Sequence, residues 1–316
     1  MNLLYNRFMK ISIVIPVYNA KKYLGRCLDS VLQALEGVQG EILLINNNST
    51  DDSPKIAKSY QEKHSKMVRL LECKTPGAAA ARNYGATKAR GDYLWFIDAD
   101  DYIDETAIVK LLEKAEQENA DLVMLGAKRL ARNGSTSYLS AVEAGRSDTK
   151  SRFIRYGMGP WQVLIRRQWW QEHRFTFREG IIHEDMELMS ALILYTDQFA
   201  SVDEPLYFYC DNPESVLHKS KFNPHIFDIF PALEGLYKRF EEAGVERRYY
   251  AELEWFFIWN LLIDSTKDFE KFPEGKPGFK QSRQTLTHYF PDWRKNRFLK
   301  EKPLKLRLKI KMNYYR

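Results

Sequence analysis

The sequence predicts an α/β fold in which a mostly parallel, Rossmann-like sheet is flanked by helices and followed by a helical C-terminal extension. Two observations carry this. Over roughly the first 125 residues, short β-branched runs alternate with segments of helical periodicity, the pattern of βαβ crossovers. Beyond residue 212 the pattern turns helical and aromatic.

Taken in order, residues 11–18 (ISIVIPVY) form a continuous apolar run closed by Asn19, a strand buried on both faces. Leu24, Cys27, Leu28, Val31, Leu32 and Leu35 then fall at the spacing of one apolar helix face. Residues 41–45 (EILLI) are a second strand. NNNSTDDSP is turn chemistry that ends in a helix start, with Ser53 as cap and Pro54 in the first helical position. Residues 67–72 read as a third strand, 78–90 as a helix, and 92–97 as a fourth strand. A helix opened by Asp104 turns Ile108, Leu111, Leu112 and Ala115 inward, and residues 121–125 are a fifth strand. Residues 127–156 are polar and irregular and are expected to be a mobile loop region. Residues 184–195, 227–240 and 249–263 carry helical spacing.

A chain of 316 residues with 44% hydrophobic and 28% charged residues can bury a sizeable core. Its net charge of +6 is uneven: residues 290–316 hold ten Lys/Arg against two acids, so the body is close to neutral. Cys27, Cys73 and Cys210 are odd in number and lack CxxC spacing, which argues against a disulfide framework or zinc knuckle and fits a reducing, cytoplasmic compartment. MNLLYNRFMK has too short an apolar run for a signal peptide. The first eight residues are expected to be dispensable, with Met9 a candidate start. The longest apolar stretches, such as 255–263, fall below the about 18 residues a membrane span needs, so the chain is expected to be soluble or attached only at a membrane surface.

Parallel sheets bind ligands beyond the carboxyl ends of their strands, which singles out residues 16–19, 46–52 and 98–101. The last of these lies in IDADD, three carboxylates in four positions after an apolar strand. Asp98 and Asp100 can face the same way on an extended segment. Their repulsion invites a hard divalent cation, Mg²⁺ or Mn²⁺, which takes one or two carboxylates plus phosphate oxygens; a solvated acidic turn is the plain alternative. HED (residues 183–185) precedes an amphipathic helix and by itself reads as acids in a first helical turn. In GAAAARNYG (residues 77–85) the small residues suit close helix packing, and Arg82 requires an anion, either a phosphate or a nearby carboxylate.

IVIPVYNAKKYLGRCLDSV, INNNSTDDS, GAAAARNYGATKARGDYLWFIDADD and REGIIHED, in this order over residues 10–209, resemble glycosyltransferase family 2, inverting enzymes with the GT-A fold. The resemblance implies a GT-A domain over residues 9–220, with a nucleotide-binding half (about 9–105) and an acceptor half (about 106–220), and then a helical region with a basic tail (221–316). It implies that Pro16 and Tyr18 contact base or ribose, that the loop of Asn47 meets the nucleobase, and that Asp98 contacts ribose. Arg82 joins this nucleotide-binding group. Asp100 binds the metal that bridges the donor diphosphate, and Asp185 deprotonates the acceptor hydroxyl, with Glu184 the competing candidate. Trp161 is expected to stack on an acceptor sugar. The function implied is transfer from a nucleotide sugar, UDP-linked, to a saccharide or lipid-linked acceptor in bacterial surface polysaccharide or glycolipid synthesis. Family members commonly carry Asp where this chain has Asn46 and Asn47, which leaves thymidine or guanosine donors open.

PLKLRLKIKMNYYR (residues 303–316) alternates apolar and basic residues. Read at period two, Leu304, Leu306, Leu308, Ile310 and Met312 share one face and Lys305, Arg307, Lys309 and Lys311 the other. The plain reading is a solvated basic tail or an edge strand protected by lysines, and the functional one is adhesion to anionic lipid at the inner face of the cell membrane, where each basic residue adds about 1 kcal/mol. A non-catalytic nucleotide-sugar-binding protein is the alternative function; the intact acidic motif and ED pair argue against it. Nucleic-acid binding lacks a reading motif, and a dinucleotide-dependent dehydrogenase lacks GxGxxG after the first strand.

Overall fold

The computed structural model of the chain describes residues 9–141, 148–212 and 221–316. The first eight residues, expected to be dispensable, lie outside them.

In chain order the strands and helices are β1 (Ile11–Val17), α1 (Leu24–Ala34), β2 (Gly40–Asn46), α2 (Ser53–Lys63), β3 (Val68–Glu72), α3 (Ala78–Lys88), β4 (Tyr93–Phe96), β5 (Tyr102–Ile103), α4 (Ala107–Gln117), β6 (Leu122–Leu130) and β7 (Thr136–Leu139). They continue with α5 (Thr149–Tyr156), β8 (Val163–Arg166), α6 (Arg167–Glu172), α7 (Glu184–Met189), β9 (Phe199–Cys210), α8 (Ile229–Glu242), α9 (Tyr250–Trp259), α10 (Thr266–Lys271), α11 (Pro277–Tyr289), α12 (Arg297–Lys300) and α13 (Leu304–Tyr315). No helix among the described residues is long and apolar enough to cross a membrane.

One sheet of nine strands runs in the order β3-β2-β1-β4-β8-β6-β9-β5, with β7 paired to β6. The first four strands in that order are parallel, as their βαβ spacing requires. Beyond them β8 enters antiparallel between β4 and β6, and β9 returns parallel to β6. The sheet is therefore a mixed, mostly parallel GT-A sheet with flanking helices and a helical C-terminal region. Helix α3 comes close to the sheet because it is built of small residues: a Cβ on Gly85 would lie 2.3 Å from Val14 Cγ1. The core cluster joins β1, β2 and β4 to the apolar faces of α1 and α4.

Several local expectations change. Over its described residues the stretch 127–156 is not irregular: β6 continues to Leu130, turns through Gly134 (φ 80°) into β7, and α5 begins at Thr149, while residues 142–147 lie outside the described residues. Its polar residues are held by main-chain pairing to β7 and β9, which side-chain periodicity does not reveal. Gly126 marks a bulge in this strand, where a Cβ would lie 2.6 Å from the Glu204 carbonyl oxygen. Ser53 is the first residue of α2, not its cap; its hydroxyl donates to Asp51 (2.5 Å) and accepts from the Ala20 amide (2.8 Å). Asp104 accepts from the amide and hydroxyl of Thr106, and α4 begins only at Ala107. The tail is not a strand but the helix α13. Leu, Lys and Arg are good helix formers, and the second unit described below offers no strand among its described residues to pair with.

The chain divides into two compact units that alternate along the sequence. The first is Met1–Arg146, Gly159–Gly180 and Thr196–Asn212, and carries the sheet. The second is Ser147–Met158, Ile181–Tyr195 and Pro213–Arg316, so α5 and α7 join the C-terminal helices. Its core is aromatic, with Phe257 and Phe290 centred 5.0 Å apart and Phe230 stacked on Phe269 at 6.0 Å.

Candidate active site

Three loops follow the carboxyl ends of the neighbouring strands β1, β2 and β4 in the first unit. After β1 the chain turns at Asn19, in the left-handed region (φ 49°) that Asn tolerates better than most residues. Its side-chain oxygen accepts from the Thr50 amide at 2.8 Å, tying this loop to the one after β2. Pro16 is partly buried, whereas Tyr18 is 54% exposed and offers an open ring.

Asn46 and Asn47 close β2 and are both buried. Asn46 donates to Glu72 at 2.7 Å. Asn47 donates to the carbonyls of Cys73 (3.1 Å) and Thr75 (2.7 Å) and accepts from the Gly77 amide (2.8 Å). Its amide thus clamps the segment that leads into α3. An Asp at this position could not make the two donations, so the departure at Asn47 has a local structural use.

Arg82, on α3, is 7% exposed, and its anion partner is a carboxylate: Nη2 donates to Asp98 Oδ1 at 2.9 Å. The guanidinium also lies 5.6 Å from the Phe177 ring centre. Next to it on α3, Asn83 holds the Phe177 backbone in both directions at 2.8 Å, fixing the segment ahead of Glu179.

The acidic loop follows β4 directly. Asp101 is 1% exposed and accepts from Tyr207 Oη (2.6 Å) and from the Cys210 amide (2.7 Å), both on β9. Tyr207 Oη also receives the Asp98 amide at 3.2 Å, so one hydroxyl joins both ends of the motif. Asp100 accepts from Asn212 Nδ2 at 2.8 Å, and its carbonyl accepts from Arg26 Nη2, also at 2.8 Å. Burial pushes the Asp100 carboxyl up, and the Asp98 charge adds to this. Asp101 is pushed up to about 8 by burial and then by Asp98 and Asp100. Burial and the mutual repulsion of the three carboxyls thus both disfavour full ionisation of the loop, and a bound cation would act in the opposite direction. No group of three or more His, Cys, Asp or Glu among the described residues is arranged to hold a metal, but a hard cation that completes its shell with phosphate oxygens needs only one or two carboxylates. The chemistry of Asp100, half-buried and two residues from Asp98, fits that role.

Sequence reasoning missed Arg26, Tyr207, Cys210 and Asn212. Arg26 sits over the Tyr102 ring at 4.7 Å and donates to Asp100 and to Cys210 Sγ (3.2 Å). These residues lie 74 and 184 positions from Arg26, and no local spacing announces them. Trp161 stacks on Tyr207 at 4.6 Å and on Tyr209 at 5.6 Å, so it reaches the acidic loop through Tyr207.

In the second unit, His183 is the residue before α7, with left-handed backbone (φ 71°), and Glu184 and Asp185 occupy the first turn as their spacing predicts. Glu184 is buried and Asp185 half-buried, with Asp185 Oδ1 accepting from the Met186 amide at 2.9 Å.

Comparison with known proteins agrees with this architecture. The family model described as "Glycosyl transferase family 2" matches residues 12–170. The Bacillus subtilis protein described as "Uncharacterized glycosyltransferase EpsJ" is 30% identical over 251 residues, covering 74% of this chain and 71% of the relative. Among solved structures, Staphylococcus aureus TarS (residues 1–349) in complex with UDP-GlcNAc superposes with a TM-score of 0.77 at 20% identity, over 97% of this chain and 89% of that one. A mannosyltransferase from Pyrobaculum calidifontis with GDP-Man and Mn²⁺ gives 0.52 at 12% identity, over 98% and 88%. At these identities the two structures speak for the fold, while the family match and the Bacillus relative speak for descent. The chain belongs to glycosyltransferase family 2.

Proposed function

We propose that the chain is an inverting, metal-dependent transferase that moves a sugar from a UDP-linked donor to a hydroxyl of a saccharide or lipid-linked acceptor, in bacterial surface polysaccharide or glycolipid synthesis. The observation that carries the proposal is geometric: Asp98, Asp100 and Asp101 are clustered in the loop that follows β4, with Arg82 on Asp98, Arg26 and Asn212 on Asp100, and Tyr207 on Asp101. The UDP preference is supported by the UDP-GlcNAc complex of TarS, and the metal by the Mn²⁺ in the mannosyltransferase complex. The three cysteines are free thiols, which suits a cytoplasmic compartment.

In this reading Tyr18 and Pro16 line the nucleoside, and Asn47 keeps the neighbouring loop in place beside the base. Asp98, steadied by Arg82, contacts the ribose. Asp100 would hold the Mn²⁺ or Mg²⁺, which when bound neutralises charge on the departing diphosphate. Asp185 takes the proton from the acceptor hydroxyl. As that O–H bond breaks, the acceptor oxygen bonds to the anomeric carbon from the face opposite the nucleotide. The bond from that carbon to the diphosphate oxygen breaks, and its electron pair leaves with UDP, so configuration inverts. Trp161 and Glu184 serve the acceptor side.

A donor screen tests this. Purified protein is incubated with Mn²⁺ and UDP-, dTDP- or GDP-sugars, and nucleotide release is followed. Release of UDP that stops on chelation is expected. Tight UDP binding with no release from any donor, with or without saccharide acceptors, would replace the transferase by a nucleotide-sugar-binding protein.

A further inference from the structure

We infer that α13 is a docking helix that lies flat on an anionic lipid surface. At about 100° per residue, its side chains sort into four stripes. Leu306, Ile310 and Asn313 turn inward, and Ile310 and Asn313 are buried. Asn313 Nδ2 donates to the Leu262 carbonyl at 2.7 Å, and Arg283 donates to the Tyr314 carbonyl at 3.3 Å, so the inner face is anchored to the second unit. On the opposite side Leu304 (63% exposed), Leu308 (51%) and Met312 (63%) form an apolar stripe in solvent, continued by Tyr315 (62%), whose hydroxyl accepts from Arg294 Nη2 at 3.1 Å. Between the two apolar faces run the cations, Lys305 and Lys309 along one edge and Arg307 and Lys311 along the other, all exposed. The helix contains no acid.

A helix needs one apolar face to pack on a protein, and this one has two. The inner face is covered by the second unit, so what the helix presents to a surface is the outer apolar stripe with positive charge along both edges. Charge selects the occupant. A second copy of the chain would set cationic edges against cationic edges, whereas an anionic lipid surface complements them. The stripe is visible only with helical geometry, since a strand would have placed every apolar residue on one face and every cation on the other.

The test is flotation of the intact chain with vesicles of equimolar phosphatidylglycerol and phosphatidylcholine, and with phosphatidylcholine alone. The chain is expected to float with the anionic vesicles and to be released by high salt. L308S/M312S and K305E/K309E should each lower the bound fraction by roughly tenfold, with an unchanged thermal midpoint and unchanged nucleotide release, because all four side chains are at the surface of the second unit. Equal flotation of the variants and the parent would overturn the inference, as would equal binding to neutral vesicles. A dimer that L308S/M312S converts to a monomer, with flotation unaltered, would assign the stripe to self-association instead. Membrane attachment and donor chemistry fail separately: a chain that no longer floats but still releases nucleotide refutes only the docking helix.

Discussion

The acidic turn after β4 and the acidic turn that opens α7 are similar in composition and differ in what holds them. In the first, Asp101 is buried and burial with its two neighbours pushes its carboxyl up to about 8; Asp100 is raised for the same reasons. Hydrogen bonds from Tyr207, Asn212 and the Cys210 amide hold the loop together but do not cancel its charge. In the second, Glu184, Asp185 and Glu187 sit where a helix N-terminus favours anions, and Glu187 is paired with Arg239 at 3.0 Å. The second cluster is placed by its helix start, which suits a carboxylate that must stay ionised to accept a proton, whereas the first is tied to β9 and α3 by side-chain partners, which suits the holding of a ligand. The two clusters should therefore respond differently to substitution.

The largest expected effect is on turnover. Asp185→Asn keeps the size and most of the hydrogen bonding but cannot accept a proton, and should lower turnover by about two to four decades with donor affinity nearly unchanged. Glu184→Gln is the control; a dead Glu184→Gln beside an active Asp185→Asn would exchange their roles, and two active variants would leave α7 as a helix start only. Asp100→Ala should show the opposite split. Calorimetric titration with UDP and Mn²⁺ should give at least about a 100-fold loss of affinity, while the thermal midpoint stays level or rises because a strained charge has been removed. Unchanged affinity would end the metal role.

Tyr207→Phe should cost about 1–3 kcal/mol in urea unfolding, since it strips Asp101 of a donor and the Asp98 amide of its acceptor. An unchanged midpoint would mean that the hydroxyl does not hold the loop. The smallest effect concerns the second turn. Burial pushes the His183 ring below its ordinary value of 6.5, against the pull of Glu184. As pH falls through that value the unfolded chain takes up a proton that the folded chain resists, so stability declines. His183→Asn tolerates the left-handed backbone and removes the proton. Between about pH 7.5 and about pH 5.5 it should lose less stability than the parent, by under about 1.4 kcal/mol. Equal losses would show that His183 does not sense burial.

Much of the parallel sheet was legible because strands buried on both faces are almost wholly apolar, as β1 and β2 are. Strand β9 was not: its exposed and half-buried residues, such as Asp203 and Glu204, carry no clean alternation. Arg82 was legible as a cation in need of an anion, but its partner was not, since a phosphate and Asp98 satisfy the same requirement. For the tail, alternation of Leu with Lys or Arg suits either period, and only the tertiary setting of α13 decides between them.

What the sequence by itself determined is the order and type of the early elements, the three loops at the strand ends, and the residue types those loops present, because local periodicity and turn chemistry act over a few residues. What only the tertiary structure decided is the charge state and company of those residues. Asp101 is raised to about 8 because β9 buries it, Arg26 reaches Asp100 across 74 positions, and the outer stripe of α13 exists because Asn313 and Ile310 turn inward. Burial and long-range pairing depend on which distant segments meet, and no spacing along the chain encodes that.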